Sequence, residues 1–388
     1  MITNKSLAFG VAMIVAVQVQ SFAVADDEGG VSAAGTAAVA GASQEDPAAA
    51  EVDEGRQLDT VEVTGKFYNT AAESAMKMDI PVMDTPFSVQ SYSEALLDAI
   101  EADDLGDVFN YMTGVKRAGL TGLDITFRGF KSSGDDQNSI LVDGLPGLSG
   151  RFGSPPTVGL ESIELVRGSM SVLYGQNQPG GFINLIRKKP QAQRETMVGI
   201  KGSTYLGDDR SFGDSNGYRV EFDTTGAFDD QGVVLYRLLG EYGDVDTFRD
   251  FGFAETTYVA PSLTWNLSDA TRLTAQVEYR DSKSSFDQGL VAPNRDVSLV
   301  ADITTNYSGP QSSREEEGTT ASLFLAHTFA NQWQWNTSLR RVSYDSFQKE
   351  FSHVRVRPDL RTLTRRARVL ETARTYENFD SNLQMNLT

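Results

Sequence analysis

Apolar positions in the second half of the chain recur at every second residue. Between residues 272 and 280, Leu273, Ala275, Val277 and Tyr279 fall on one side of an extended chain, and Arg272, Thr274, Gln276, Glu278 and Arg280 on the other. Period two marks a strand whose two faces meet different surroundings. The same texture predicts strands at 196–205, 218–228, 233–243, 256–267, 272–281, 319–329, 334–347, 364–375 and 378–387. These run to about ten residues, longer than the ~5–6 usual in soluble sheets and close to what a tilted strand needs to cross a bilayer. A soluble sandwich gives the alternation but not the length. The joints differ in size: 228–232 and 266–270 are short, whereas 283–318 is long and polar. Short turns at one rim and long loops at the other describe a membrane barrel. Trp265, Trp333 and Trp335 fall at strand ends, where an aromatic girdle would sit; rings packed in a soluble core are the alternative.

The first half reads differently. Residues 66–190 predict a mixed α+β domain. Ser91-Tyr92-Ser93-Glu94 has the form of a capping box ahead of Leu96, Leu97 and Ile100, and a second short helix is expected over 105–112, ending at Gly114. Strands are expected at 125–130, 139–143, 162–167 and 182–186, with one helical turn at 170–174. The stretch "LYGQNQPGGFINLIRKKP", residues 173–190, joins a glycine-rich turn to an apolar run and a basic end. No helix is expected after Gly180-Gly181, so this is not a phosphate cradle. It connects the domain to the strands that follow.

Upstream, residues 1–25 read as a secretory leader: Lys5, an apolar stretch from Leu7 to Val19, and Ala23-Val24-Ala25 before Asp26. The apolar stretch is shorter than the ~20 residues of a membrane-spanning helix. Residues 26–58 are rich in Ala, Gly and acidic side chains without a periodic apolar face, as in a flexible linker. Then "DTVEVTG", residues 59–65, alternates briefly in isolation. Such a segment could add as a strand to another protein, or could be the first strand of the domain that follows.

Composition narrows the function. With 53 Asp plus Glu against 34 Lys plus Arg, a phosphate-backbone partner is excluded. There is no cysteine, and the two histidines, His327 and His353, lie in the strand region. A thiol nucleophile and a Cys/His metal cluster are therefore excluded, and no enzyme constellation is found. Glu315-Glu316-Glu317 reads as a solvated loop face. An exported chain without disulfides relies on a large core or on a membrane as solvent.

In order along the chain, "DTVEVTG", "DTPFSVQSYSEALLDA", "DLGDVFNYMTGV", "FRGF", "ILVDGL" and "IELVRGSMSVLYGQNQPGGFINLIRKKP" resemble the TonB-dependent outer-membrane receptors, in particular the ferric-siderophore receptors. Several ordered motifs make chance agreement improbable where any one would be weak. The resemblance implies a membrane all-β barrel with the α+β plug of residues 66–190 inside it, and the N-terminal part of the barrel in residues 191–388. It implies a TonB box at Asp59, Thr60, Val61, Glu62, Val63 and Thr64, gripped by TonB of the inner-membrane energising complex. It implies that Arg128 and Arg167 face acidic groups of the barrel wall, and that loops carrying Arg117, Gly134, Asp135 and Phe152 approach the ligand. The ligand would be a ferric siderophore, with iron carried inside its chelator and no protein-held cofactor or metal. The receptor would sit in outer-membrane lipid, monomeric at full length. Thr113 and Ser169 stand where the family commonly has proline, and no signalling domain fits in 26–58. A receptor for cobalamin or an oligosaccharide, and a secreted adhesive or structural β protein, remain as alternatives.

Barrels that enclose a plug have 22 strands, which need about 220 residues before any loop. The stretch 191–388 offers about nine, and "NLQMNLT" lacks a terminal aromatic residue. The expectation is an N-terminal fragment with an incomplete barrel, because an open edge in lipid strands backbone groups without water.

Overall fold

Glycine-rich turns cut the first half of the chain into short pieces, while long alternating runs make the second half a wall. The computed structural model describes residues 15–20, 66–72, 77, 80–102, 104–117, 125–131, 139–146, 155–168, 171–175, 179–206 and 211–385. Strand β1 (Val15–Gln20) belongs to the segment read as a leader. The inner domain follows with β2 (Tyr68–Asn69), β3 (Ala71–Ala72), β4 (Ile80–Pro81), β5 (Ser88–Ser93), α1 (Glu94–Ala99), α2 (Leu105–Phe109), β6 (Val115–Arg117), β7 (Ile125–Phe127) and β8 (Phe130–Lys131). It closes with β9 (Ile140–Val142), β10 (Leu160–Arg167), α3 (Ser171–Tyr174) and β11 (Gly181–Arg187).

The inner domain's main sheet has the order β2-β5-β10-β11-β9, with only β9 and β11 parallel. Leu96 and Leu97 of α1 and Leu105 and Val108 of α2 share one core with Tyr92, Ile163, Leu165, Ile183 and Leu185 of the sheet. Val89, Leu141, Val166 and Phe182 form a second core, with Leu173 and Tyr174 of α3 against it. Strand β11 is thus covered on both faces and buried at every position, which explains its mostly apolar texture.

Two local expectations are corrected. Ser91 does not open a capping box, because it is still in strand, opposite Glu164. The Ser93 hydroxyl donates to the Lys66 carbonyl instead of capping α1. The capping box forms at α2, where the Asp104 carboxylate accepts from the Asp107 amide and the Asp107 carboxylate from the Asp104 amide. Nor does "FRGF" continue a strand: Arg128 and Gly129, at φ 48° and 87°, turn the chain between β7 and β8. Two successive residues at positive φ match the twist of a tight hairpin.

The wall comprises β12 (Glu195–Thr204), β13 (Asn216–Ala227), β14 (Val234–Asp246), β15 (Phe253–Ser268), β16 (Thr271–Ser285), β17 (Ser313–Thr328), β18 (Gln334–Val356) and β19 (Leu363–Gln384). Each pairs antiparallel with the next, and β1 pairs with β12 at one edge, giving a nine-stranded open sheet among the described residues. The strands expected at 364–375 and 378–387 are one, because Tyr376 and Glu377 stay in register opposite Val342 and Arg341. Nothing there turns the chain.

The polar face of the wall is the buried one. On β16, Gln276 and Arg280 are 6% and 5% exposed, whereas Val277 is 45% exposed. The polar residues meet the inner domain, and Val198, Ile200, Leu238, Leu263, Val277 and Leu323 face outward, as in a membrane barrel. Outward Trp265 and Trp335 mark the short-turn rim, and Tyr218, Tyr242 and Tyr279 lie toward the long loops. One outward row departs from this: Val277 and Ala321 lead across to Arg341 and Glu377.

Candidate functional site

The end of β11 is where the inner domain is fastened to the wall. Strand β11 runs alongside β9, with Leu185 opposite Val142, so Arg187 emerges beside the turn that holds Asp143. That turn is fixed by the Gly144 amide, which donates to Asn184 Oδ1 at 2.8 Å. Asp143 Oδ2 lies 2.5 Å from Arg187 Nε, and its Oδ1 accepts from the Arg187 amide at 3.0 Å. From there the guanidinium reaches the wall: Nη1 is 3.0 Å from Glu278 of β16, and Nη2 donates to Ser322 Oγ of β17 at 3.1 Å. Arg340 of β18 points inward to Asp143 at 3.3 Å and donates to the Leu145 carbonyl at 3.4 Å. Tyr258 of β15 donates to Glu278 at 3.2 Å.

The next residue makes a second node. Lys188 Nζ lies 2.6 Å from Glu94 of α1 and 3.1 Å from Asp223 of β13. Asp223 also accepts from Arg237 of β14 at 2.8 and 2.6 Å, and Arg237 donates to the Lys189 carbonyl at 3.1 Å. Gln276 donates to the Lys188 carbonyl at 3.3 Å. An apolar patch lies close by, where Val158 packs on Leu239, Tyr258 and Ala260. Elsewhere, Lys77 Nζ meets Asp380 of β19 at 2.6 Å beside a cavity of about 520 Å³ between inner domain and wall.

Each node sets two cations against two carboxylates, and buried charges require such balance. Burial alone would raise the Asp143 carboxyl, but Arg187 and then Arg340 outweigh it and hold it below the usual carboxylate range. Burial disfavours the charged Arg187, yet Asp143 and Glu278 raise its pKa above the ordinary arginine value. Replacing such pairs whole is often neutral, whereas removing one partner costs ~3–5 kcal/mol. A joint of this kind is held firmly in place yet can trade partners.

The residues expected from the resemblance are placed as follows. Asp59, Thr60, Val61, Glu62, Val63, Thr64, Gly134, Asp135 and Phe152 lie outside the described residues. Arg117 ends β6, exposed, with Nη1 3.9 Å from Asp104. Arg128 is exposed in its turn. Arg167 is held within its own domain, donating to Gln90, to Ser88 Oγ at 3.2 Å and to the Thr113 carbonyl at 3.4 Å. Burial pulls its pKa down. Among the described residues, the plug cations that meet wall carboxylates include Arg187, Lys188 and Lys77. The sequence signal for the first two is a pair of cations closing a fully buried, mostly apolar strand.

Residues 81–182 match the family model of the TonB-dependent receptor plug domain. That stretch is the plug domain of the TonB-dependent receptors. The chain is 28% identical over 272 residues to the metal-pseudopaline receptor of Pseudomonas aeruginosa, covering 70% of this chain and 36% of that protein. It is 30% identical over 207 residues to the ferrichrome outer membrane transporter/phage receptor of Escherichia coli, covering 51% and 26%. Among solved structures, the closed form of the ferric-catecholate import receptor of Escherichia coli matches with TM-score 0.71 at 21% identity, over 84% of this chain and 48% of that one. The ferripyoverdine receptor of Pseudomonas aeruginosa bound to ferripyoverdine matches with TM-score 0.64 at 20% identity, over 82% and 41%. This chain therefore spans about a third of the two relatives named. The inner domain is the plug, and the wall is part of an outer-membrane β-barrel.

Proposed function

We propose that this chain is the plug-bearing part of an outer-membrane receptor that imports ferric siderophores under the pull of TonB. The observation that carries the reading is the pair of charge-balanced nodes at Arg187 and Lys188, where the plug's last strand is tied to the wall. A plug that has to move needs contacts that can be exchanged for one another or for water, and ion pairs with several partners within reach meet that need better than packed apolar surface. Residues 59–64 add as a strand to TonB, through backbone hydrogen bonds, and pass its pull to the plug. Arg117, Gly134, Asp135 and Phe152 lie toward the chelate, Arg117 offering a charge and Phe152 an aromatic face to an anionic ligand. Iron stays inside its chelator, so no protein-held metal is required.

Transport of labelled ferric chelates, supplied singly to iron-starved cells carrying the receptor, tests this reading. Val61→Pro removes a backbone donor from the segment that pairs with TonB. Uptake is expected to fall to background while chelate binding at the cell surface persists. Unchanged uptake refutes the assignment of residues 59–64. A second reading, a chelate of a metal other than iron, is favoured by the similarity to a metal-pseudopaline receptor. It predicts competition by the same chelator loaded with another metal.

A further inference from the structure

At the long-loop rim of the wall, residues 286–312 leave β16 and return to β17 at positions already paired, Ser285 with Ser313. Their regular structure is two single 3-10 turns, Pro293–Arg295 and Val297–Leu299. A connection of this length with so little secondary structure is usually a mobile lid, a binding loop or disordered. This one is fastened on both flanks.

On the first flank lies the turn 247–252, between β14 and β15. Arg249 of that turn reaches both stems of the loop. Its Nε is 3.1 Å from Asp287 Oδ2, near the start, and its Nη1 donates to the Thr305 carbonyl at 3.1 Å, toward the end. The guanidinium sits 5.3 Å from the centre of the Phe248 ring. Beside it the Asp250 amide donates to the Thr304 carbonyl at 2.7 Å. On the second flank, β18 runs past the start of β17, where Ser313 pairs with Lys349. Beyond that point the Phe351 and His353 amides donate to the loop, to Ser312 Oγ at 3.2 Å and Gln288 Oε1 at 2.9 Å. Arg365 of β19 donates to the Tyr307 carbonyl at 2.9 Å. The loop thus supplies acceptors that an uncovered strand edge would lack. Between the flanks, Phe286, Ser308 and Ser312 are at most 6% exposed. Swinging this segment outward would break the charge-assisted contacts of Arg249 and uncover the β18 edge at the same time.

We propose that residues 286–312 and the turn 247–252 form one fixed body at the mouth of the barrel, with Arg249 as its clasp, so that a chelate enters past a preformed rim and not by movement of this loop. Entry of a chelate rests on the receptor reading above, whereas the clasp rests on these contacts alone.

Two arms test this on the full chain. In the first, Asp250→Cys with Thr304→Cys places thiols at two positions whose backbones already touch, within disulfide reach, in a chain that has no other cysteine. The bond is expected to close on mild oxidation in outer membranes. Binding and uptake of a labelled ferric chelate are expected to stay within about twofold of the same variant after reduction. Uptake lost on closing the bond and restored by reduction would make the segment a moving lid and overturn the proposal. In the second arm, amide hydrogen exchange is followed in the purified chain without ligand. Arg249→Gln is expected to lower protection of the Asp250 and Gly289 amides by roughly tenfold, with Arg249→Lys between it and the unaltered chain. Retained protection at Leu239 and Tyr258 shows that the wall is folded, and the disulfide arm decides alone if it is not. Unchanged protection at Asp250 and Gly289 in a folded wall overturns the clasp. Because exchange needs no chelate, it decides the clasp even where no chelate is imported, a result that would count against the receptor reading instead.

Discussion

Replacing Asp143 by asparagine removes one charge from a node that has no spare. Its carboxylate receives the Arg187 amide at 3.0 Å, Arg187 Nε at 2.5 Å and Arg340 Nη2 at 3.3 Å, with both arginine side chains at most 5% exposed. Without it Arg187 keeps Glu278, but Arg340 loses its carboxylate and the two buried cations face each other. Removing one partner of a buried ion pair costs ~3–5 kcal/mol, a factor of roughly a hundred to a few thousand in the opening equilibrium of the plug's last strand. Hydrogen exchange reads this directly. The amides of Ile183 and Leu185 are expected to lose protection by that factor, while the amides of β15 in the wall keep theirs. A paired change, Asp143→Asn with Arg340→Met, removes both charges, keeps a side chain suited to the φ of 47° at this position, and is expected to recover most of the loss, because no buried cation is left without a carboxylate. Unaltered protection of β11 in Asp143→Asn would refute the view that this node anchors the plug. Recovery absent from the paired variant would refute the charge-balance argument.

Other consequences follow from the same contacts. Because Asp143 is held below its unfolded value, its contribution to plug anchoring is fully present above pH ~4 and is lost as pH falls through the depressed value. A pH series of plug protease resistance should be flat, on this group's account, from neutral down to that region and then decline. At Gly159 a Cβ would sit 2.7 Å from the Tyr258 hydroxyl oxygen. Gly159→Ala should therefore loosen the plug by ~1–3 kcal/mol in the same exchange assay, and Tyr258→Phe in that background should relieve part of it. Gly181 combines φ 131° with a Cβ direction aimed at the Val166 carbonyl. Gly181→Ala is expected to disturb the β10–β11 pairing and lower the yield of protease-resistant plug, with the wall still inserted.

The wall was legible because long period-two runs with a strongly polar face have few other solutions, and the exposure of Val277 against the burial of Gln276 is the observed form of that pattern. Reading β19 as two strands failed because Tyr376–Glu377 looks like a polar break in sequence, whereas in the sheet Glu377 is the outward partner of Arg341. Short plug elements were harder. Ser91 and Asp104 carry equally good capping side chains, and only the pairing of Ser91 with Glu164 decides that the helix starts later. The fastening residues could not be chosen from sequence, since Arg128, Arg167 and Arg187 all flank turns or strand ends. Which of them meets a carboxylate depends on the register of β9 against β11 and of the plug against β16, and a linear pattern does not contain either.

Import of a chelate by the receptor proposed above needs the plug to shift against the wall, and a removable tether tests that most directly. Val158 of the plug shares an apolar cluster with Leu239 of the wall, on the strand its turn lies against, so Val158→Cys with Leu239→Cys can join them in a chain that has no other cysteine. Uptake of a labelled ferric chelate is then measured in iron-starved cells before and after reduction. The account predicts bound chelate but no uptake while the disulfide is closed, and restored uptake once it is reduced. Equal uptake in both states would contradict it.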